Sequence, residues 1–186
     1  MFLYHYFEKS HGPFLNLSDL NNDEAIQIQN DLSARSQIYA RRYANGQYIF
    51  ERRIVEKRAY AMFVRKGGKP QRQIPYYGLL SENELEEGYE WFVDCGVVKI
   101  PIDEFDKSTI SFTHGDTFPT FSPNVTDGME YRNTVYTHDE ILKMIEKYGM
   151  PQDTWDKPVF AQPCYVEAQI WSDEPVMRYK NNWKQK

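Results

Sequence analysis

One glutamate stands out by its neighbours. In Cys164–Trp171, CYVEAQIW, strand alternation puts Val166, Ala168 and Ile170 on one side. Tyr165, Glu167, Gln169 and Trp171 then share the other side, so Glu167 lies between aromatic rings. A carboxylate held there must be hydrogen-bonded or paired, or it costs several kcal/mol. The alternative is a solvent-facing residue of an edge strand. A second group of reactive types lies in Thr109–Pro123, TISFTHGDTFPTFSP, which carries hydroxyls, His114 and Asp116. Its first half alternates as a strand that would deliver Ser111 and Thr113 to a shared surface. Pro119 and Pro123 cannot continue a sheet ladder, so the second half reads as a rigid polar loop. The histidines are His5, His11, His114 and His138. His5, His114 and Asp116 have the chemistry of a metal-dependent hydrolase, but their spacing follows no known ligand pattern, and no metal is expected.

The common catalytic signatures are missing. There is no phosphate-binding G-x-x-x-x-G-K-[ST], no G-x-G-x-x-G, no H-E-x-x-H, no C-x-x-C and no G-x-S-x-G. Gly67-Gly68-Lys69 follows a helical pattern instead of opening one, and reads as a helix stop.

The elements that must position these residues are short. Phe2 to Phe7 reads as a first strand, with Phe2, Tyr4 and Tyr6 opposite Leu3, His5 and Phe7. Asn21 or Asn22 caps a helix that ends near Ala34. Gln37 to Lys66 is a second helical region, bent near Asn45-Gly46, with Ile49, Val55, Ala59, Met62 and Phe63 turned inward. Strands are expected at Tyr76–Leu80, Val97–Ile102, Ile110–Thr113 and Gly128–Tyr136. Thr137-His-Asp-Glu140 has capping-box spacing and opens a helix that Gly149 and Pro151 close. The tail after Arg178 reads as flexible. The whole chain, residues 1–186, is expected to form a single α+β domain, with three main helices on a mixed or antiparallel sheet of about six short strands.

Composition narrows the partners. The 186 residues carry a formal net charge of −5 and 16% aromatics. Charge is segregated: eleven Lys and Arg against two acids from Arg35 to Arg72, and nine acids against Lys99 from Glu82 to Asp106. Either the two regions complement each other in the fold, or the basic one faces a nucleic acid or protein through Arg52, Arg53, Lys57 and Arg58. The start has no signal-peptide pattern and no apolar run reaches membrane-spanning length, so a cytoplasmic protein with free Cys95 and Cys164 is expected.

Three stretches, LYHYFEKSHGPFLNLSDL, KIPIDEFDKSTISFTHGDTFPTFSP and YVEAQIWSDEPV, resemble a family of small uncharacterised proteins of Gram-positive bacteria and their phages. Tyr4-His5 on the first strand, Ser111 and Thr113 in mid-chain, and VEAQIW around Glu167 also resemble the ADP-ribosyltransferase superfamily, including DarT-type toxins. That resemblance implies NAD as cofactor. His5 would bond its ribose, with Tyr4, Ser111 and Thr113 beside the nicotinamide. Glu167 would stabilise the oxocarbenium-like transition state. Tyr165 stands where the superfamily carries a second carboxylate or glutamine, and there is no S-T-S triplet. The alternative function is a noncatalytic phage or host-conflict protein that binds through its charged faces.

Overall fold

The computed structural model describes residues 1–35, 37–44, 46–92, 94–153 and 164–185. Five strands, β1 (Phe2–Glu8), β2 (Tyr76–Ser81), β3 (Cys95–Pro101), β4 (Ile110–His114) and β5 (Val166–Ile170), form one sheet in the order β3-β1-β2-β5-β4. Every neighbouring pair is antiparallel. With helices on both faces this is an α+β domain.

Register decides which side chains meet. Tyr4 lies opposite Leu79, Leu79 opposite Glu167, and Glu167 opposite Thr113. Directly paired residues share a face, so Tyr4, Leu79, Glu167 and Thr113 form one row across the sheet. Leu3, Leu80, Ile100, Phe112, Val166 and Ala168 occupy the other face and make the main core. Against that core pack Ile141 and Met144 of α5 (His138–Tyr148) and Val176 of α6 (Val176–Asn182). The Glu167 face is covered by α3 (Tyr48–Arg65) and α4 (Thr117–Phe121), whose Ala59, Phe63 and Phe121 close around Trp171. α1 (Asn22–Arg35) and α2 (Gln37–Arg42) precede α3.

Several expectations hold. β1 and β5 stand where alternation put them, and α5 opens on the capping box, with Glu140 accepting from the Thr137 N–H at 2.8 Å. The helical region after Gln37 is divided as expected. Gly46, at φ 64°, separates α2 from α3, while Asn45 lies outside the described residues. Both cysteines are free thiols.

Three expectations need correction. The loop after His114 contains α4, because Asp116 caps it and Pro119 falls in its first turn, where its missing N–H would have no partner anyway. Gly128–Tyr136 is not a strand: Tyr136 alone exchanges backbone hydrogen bonds with Phe112. Among the described residues the sheet therefore has five strands, close to the about six expected, and three short α-helices stand beside the three longer ones. The stretch after Arg178 is helical through Asn182. Arg178 and Tyr179 both reach Glu104, at 2.6 and 2.7 Å, and Trp183 stacks edge-on against Phe7.

Candidate functional site

The polar centre of the Glu167 face is a one-way chain of donors. The Trp171 indole N–H donates to Ser111 Oγ at 2.8 Å, and the Ser111 hydroxyl donates to Gln169 Oε1 at 2.9 Å. Gln169 then turns its Nε2 toward Thr113 Oγ1 at 3.1 Å and Thr117 Oγ1 at 3.0 Å. Thr117, at the start of α4, donates both its hydroxyl and its backbone N–H to Glu167 Oε2, the latter at 2.9 Å. Ser111, Thr113, Gln169 and Trp171 have no exposed surface and Thr117 almost none. Buried polar groups must find partners, and these find them in each other, with the chain ending on the carboxyl group.

Asp116 adjoins this terminus. Its Oδ1 accepts from the Phe118 N–H at 2.7 Å and its Oδ2 from the Tyr165 hydroxyl at 2.9 Å. Burial first, then repulsion from Asp116, pushes the Glu167 carboxyl up to about 8, against the pull of the Thr117 donors and the Arg52 guanidinium. At neutral pH Glu167 therefore carries a proton. Oε2 already accepts two hydrogen bonds, so the proton belongs on Oε1, which has no hydrogen-bond partner among the described residues. Glu167 retains some exposed surface. It is a carboxylic acid with one oxygen anchored and the other free. The neighbouring Cys164 thiol is pushed up to about 12 by burial and by the same two carboxyls, which makes it a poor nucleophile.

The third component comes from α3. Arg52 donates through Nε to Glu56 at 3.0 Å and through Nη1 to the Tyr48 hydroxyl at 2.9 Å, and its guanidinium lies 4.7 Å from the centre of the Tyr77 ring. Its Nη2 has no acceptor among the described residues. Glu56 also accepts from the Tyr77 hydroxyl at 3.1 Å and from Asn16 at 3.3 Å through the same Oε1, leaving Oε2 buried without a partner. Tyr77 pairs with Gln169 across β2 and β5. It is thus a diagonal neighbour of Glu167 on one face, within reach of long side chains. Tyr48, stacked on Phe118 at 5.0 Å, completes the wall.

The residues named from the sequence are thereby redistributed. Ser111 and Thr113 share the face of Glu167, as expected, but they are sealed positioning residues and cannot touch a ligand. Tyr4 is on that face too, but it is buried in an aromatic cluster with its hydroxyl on the Glu82 carbonyl at 3.2 Å. His5 points to the opposite face, since it follows Tyr4 by one position in β1. There its Nδ1 donates to the Tyr77 carbonyl and its Nε2 accepts the Phe14 N–H, both at 2.8 Å, and its ring stacks 4.1 Å from that of Phe14. His5 and Glu167 do not meet in one cleft.

Of the basic residues, Arg52 is internal, and Arg53 is bound to the Leu20 carbonyl and Asn22. Arg58 reaches Asn133 at 3.3 Å. Of the four named from the sequence, Arg52, Arg53, Lys57 and Arg58, only Lys57 stands free of a partner among the described residues. Lys66 pairs with Glu140, and Arg72 with Asp19 and Asp173, so much of the basic segment is spent inside the fold. Thr117, Gln169 and Tyr77 went unrecognised as site residues, and the sequence offered Asp116 only as a metal ligand beside His5 and His114.

Burial holds the His5 imidazole down at about 4, below its usual 6.5. A group depressed in the folded state supports stability above its unfolded value and withdraws that support as pH falls. Glu167 acts in the opposite sense over much of that range, so the His5 contribution is read as a difference between two proteins. In urea unfolding, the stability advantage of the unmodified protein over His5→Gln should shrink as pH drops from about 6.5 to 4. A pH-independent advantage would mean that His5 does not titrate differently in the folded and unfolded states.

No family model, curated protein or solved structure matches this chain. Among the described residues no group of three or more His, Cys, Asp and Glu could hold a metal ion. No helix among them is long and apolar enough to cross a membrane.

Proposed function

We propose that the chain is a glycosyl-transfer enzyme centred on Glu167, with NAD as the donor, in the manner of the ADP-ribosyltransferases. The observation that carries this reading is the glutamic acid itself, fixed through Oε2 by Thr117 and open at Oε1. A pair of adjacent carboxyl groups, here Glu167 and Asp116, is the usual equipment for chemistry at a glycosidic carbon. Glu167 would bond the ribose hydroxyl and, once ionised, stabilise the positive charge that develops as nicotinamide departs. Arg52 would offer its unpaired Nη2 to the pyrophosphate, a role the resemblance did not supply. His5 has no part in it. The acceptor would be a nucleic acid or protein approaching Lys57.

Nicotinamide needs no proton in order to leave, so the active form is the Glu167 carboxylate. Nicotinamide release from NAD should rise as pH increases toward about 8 and level off above it, and Glu167→Gln should abolish it. Absence of release, together with no thermal stabilisation by millimolar NAD, would remove NAD from the proposal. A rate that falls above pH 8 with another glycoside would instead assign Glu167 as a general acid.

A noncatalytic binding protein is the second reading, and one observation favours it: α3 exposes apolar side chains to solvent.

A further inference from the structure

An amphipathic helix against a sheet needs one apolar stripe; α3 carries two. The first, with Ile49, Ala59 and Phe63, is buried. The second runs along the opposite side of the helix through Phe50, Ile54, Lys57, Ala61 and Val64. All five are exposed, and the three large apolar members are 38%, 67% and 44% accessible. Their spacing of four, three, four and three residues is that of a coiled-coil seam over two heptads. A purely nucleic-acid-binding face has no use for such a seam, and most of the arginines around it are already bound within the protomer.

The charges beside the seam select the occupant. Arg53 is tied to Leu20 and Asn22, and Arg58 is drawn back to Asn133 and over the Phe121 ring at 5.0 Å. Glu51 and Arg65, both exposed, have no ion pair among the described residues. They lie on the same flank of the seam, at opposite ends of the helix. A second α3 running antiparallel would set each Glu51 beside the other copy's Arg65. It would also place Ile54 against Val64, and the aliphatic stem of Lys57 over the small Ala61. The opposed helix dipoles align favourably in the same arrangement.

We infer that this seam is the contact surface of a two-fold homodimer, formed by antiparallel packing of α3 on α3. The contact is small beside the roughly 800 Å² per partner of a standard stable interface. Its dissociation constant should accordingly be on the order of 100 μM.

Sedimentation velocity between about 10 μM and 1 mM tests this directly. The weight-average mass should climb with concentration from 22.1 kDa toward twice that value. Ile54→Glu alters a side chain that touches little in the protomer and should leave circular dichroism and melting unchanged while weakening association at least tenfold. Glu51→Arg should weaken it severalfold, and adding Arg65→Glu to the same chain should restore it. A mass of one chain throughout the range would overturn the inference, even if the seam then captured an acidic helix of another protein. Undiminished dimerisation of Ile54→Glu would overturn it equally.

Discussion

Replacing Glu167 by glutamine should remove turnover and stabilise the protein in alkaline solution. Glutamine keeps an oxygen for the two Thr117 donors and sheds the carboxyl group whose ionisation the site resists. The folded state holds the Glu167 proton up to about 8, while the unfolded chain releases it near the ordinary glutamate value of 4.5. Between those values the folded protein binds more protons, so rising pH costs it stability; below the window the cost is absent and above it the cost is complete. Each pKa unit corresponds to about 1.4 kcal/mol. Partial exposure of the side chain lowers the full figure, leaving an expected difference on the order of 2 kcal/mol. Thermal melts of the two proteins should agree near pH 4.5 and diverge by several degrees at pH 8 and above, with Glu167→Gln the more stable. Turnover should fall at least ~100-fold. Equal melting curves at all pH values would show that Glu167 ionises without penalty.

The second large effect is expected at Gln169. Gln169→Leu is similar in size but strands the Ser111 hydroxyl and withdraws the donors to Thr113 and Thr117, all in a region without exposed surface. A buried polar group left without its partner costs roughly 1–3 kcal/mol. The variant should therefore lose on the order of 4 kcal/mol in urea unfolding, enough to lower its melting temperature by about 10 °C. Thr113→Val added to Gln169→Leu should recover part of that loss, because it removes a hydroxyl that has lost its Gln169 donor and, unlike Ser111→Ala, takes no acceptor from the buried Trp171 N–H. A loss below about 1 kcal/mol for the single variant would mean that the chain of donors contributes little.

What the sequence disclosed follows from how local each signal is. β1, β5 and α5 were readable because alternation, or helical spacing with a capping box, is written in consecutive residues. Glu167 was readable as a carboxyl set among aromatic rings. α4 was not, since Pro119 argues against a strand equally well in a rigid loop and in the first turn of a helix. The partners of Glu167 were hidden for a different reason. Thr117 meets it only because β4 and β5 pair, and it is 50 residues distant in the chain. Hydroxyl residues on a strand suggest ligand contacts, but burial turned Ser111 and Thr113 into struts. The charge segregation was real as a count and misleading as a surface, because Arg52 fastens α3 to the sheet through Glu56 and Tyr77 instead of reaching outward.

The pH at which Glu167 gives up its proton, on an oxygen free to meet a substrate, sets both the stability and the reactivity of this site. Carbon-13 NMR of the protein labelled at glutamate carboxyl carbons, with Glu167→Gln used to assign the signal, measures this without any knowledge of the substrate. The Glu167 resonance should titrate with a midpoint near 8, well above those of the exposed glutamates. A midpoint near 4.5 would show that the folded protein does not hold this proton at neutral pH.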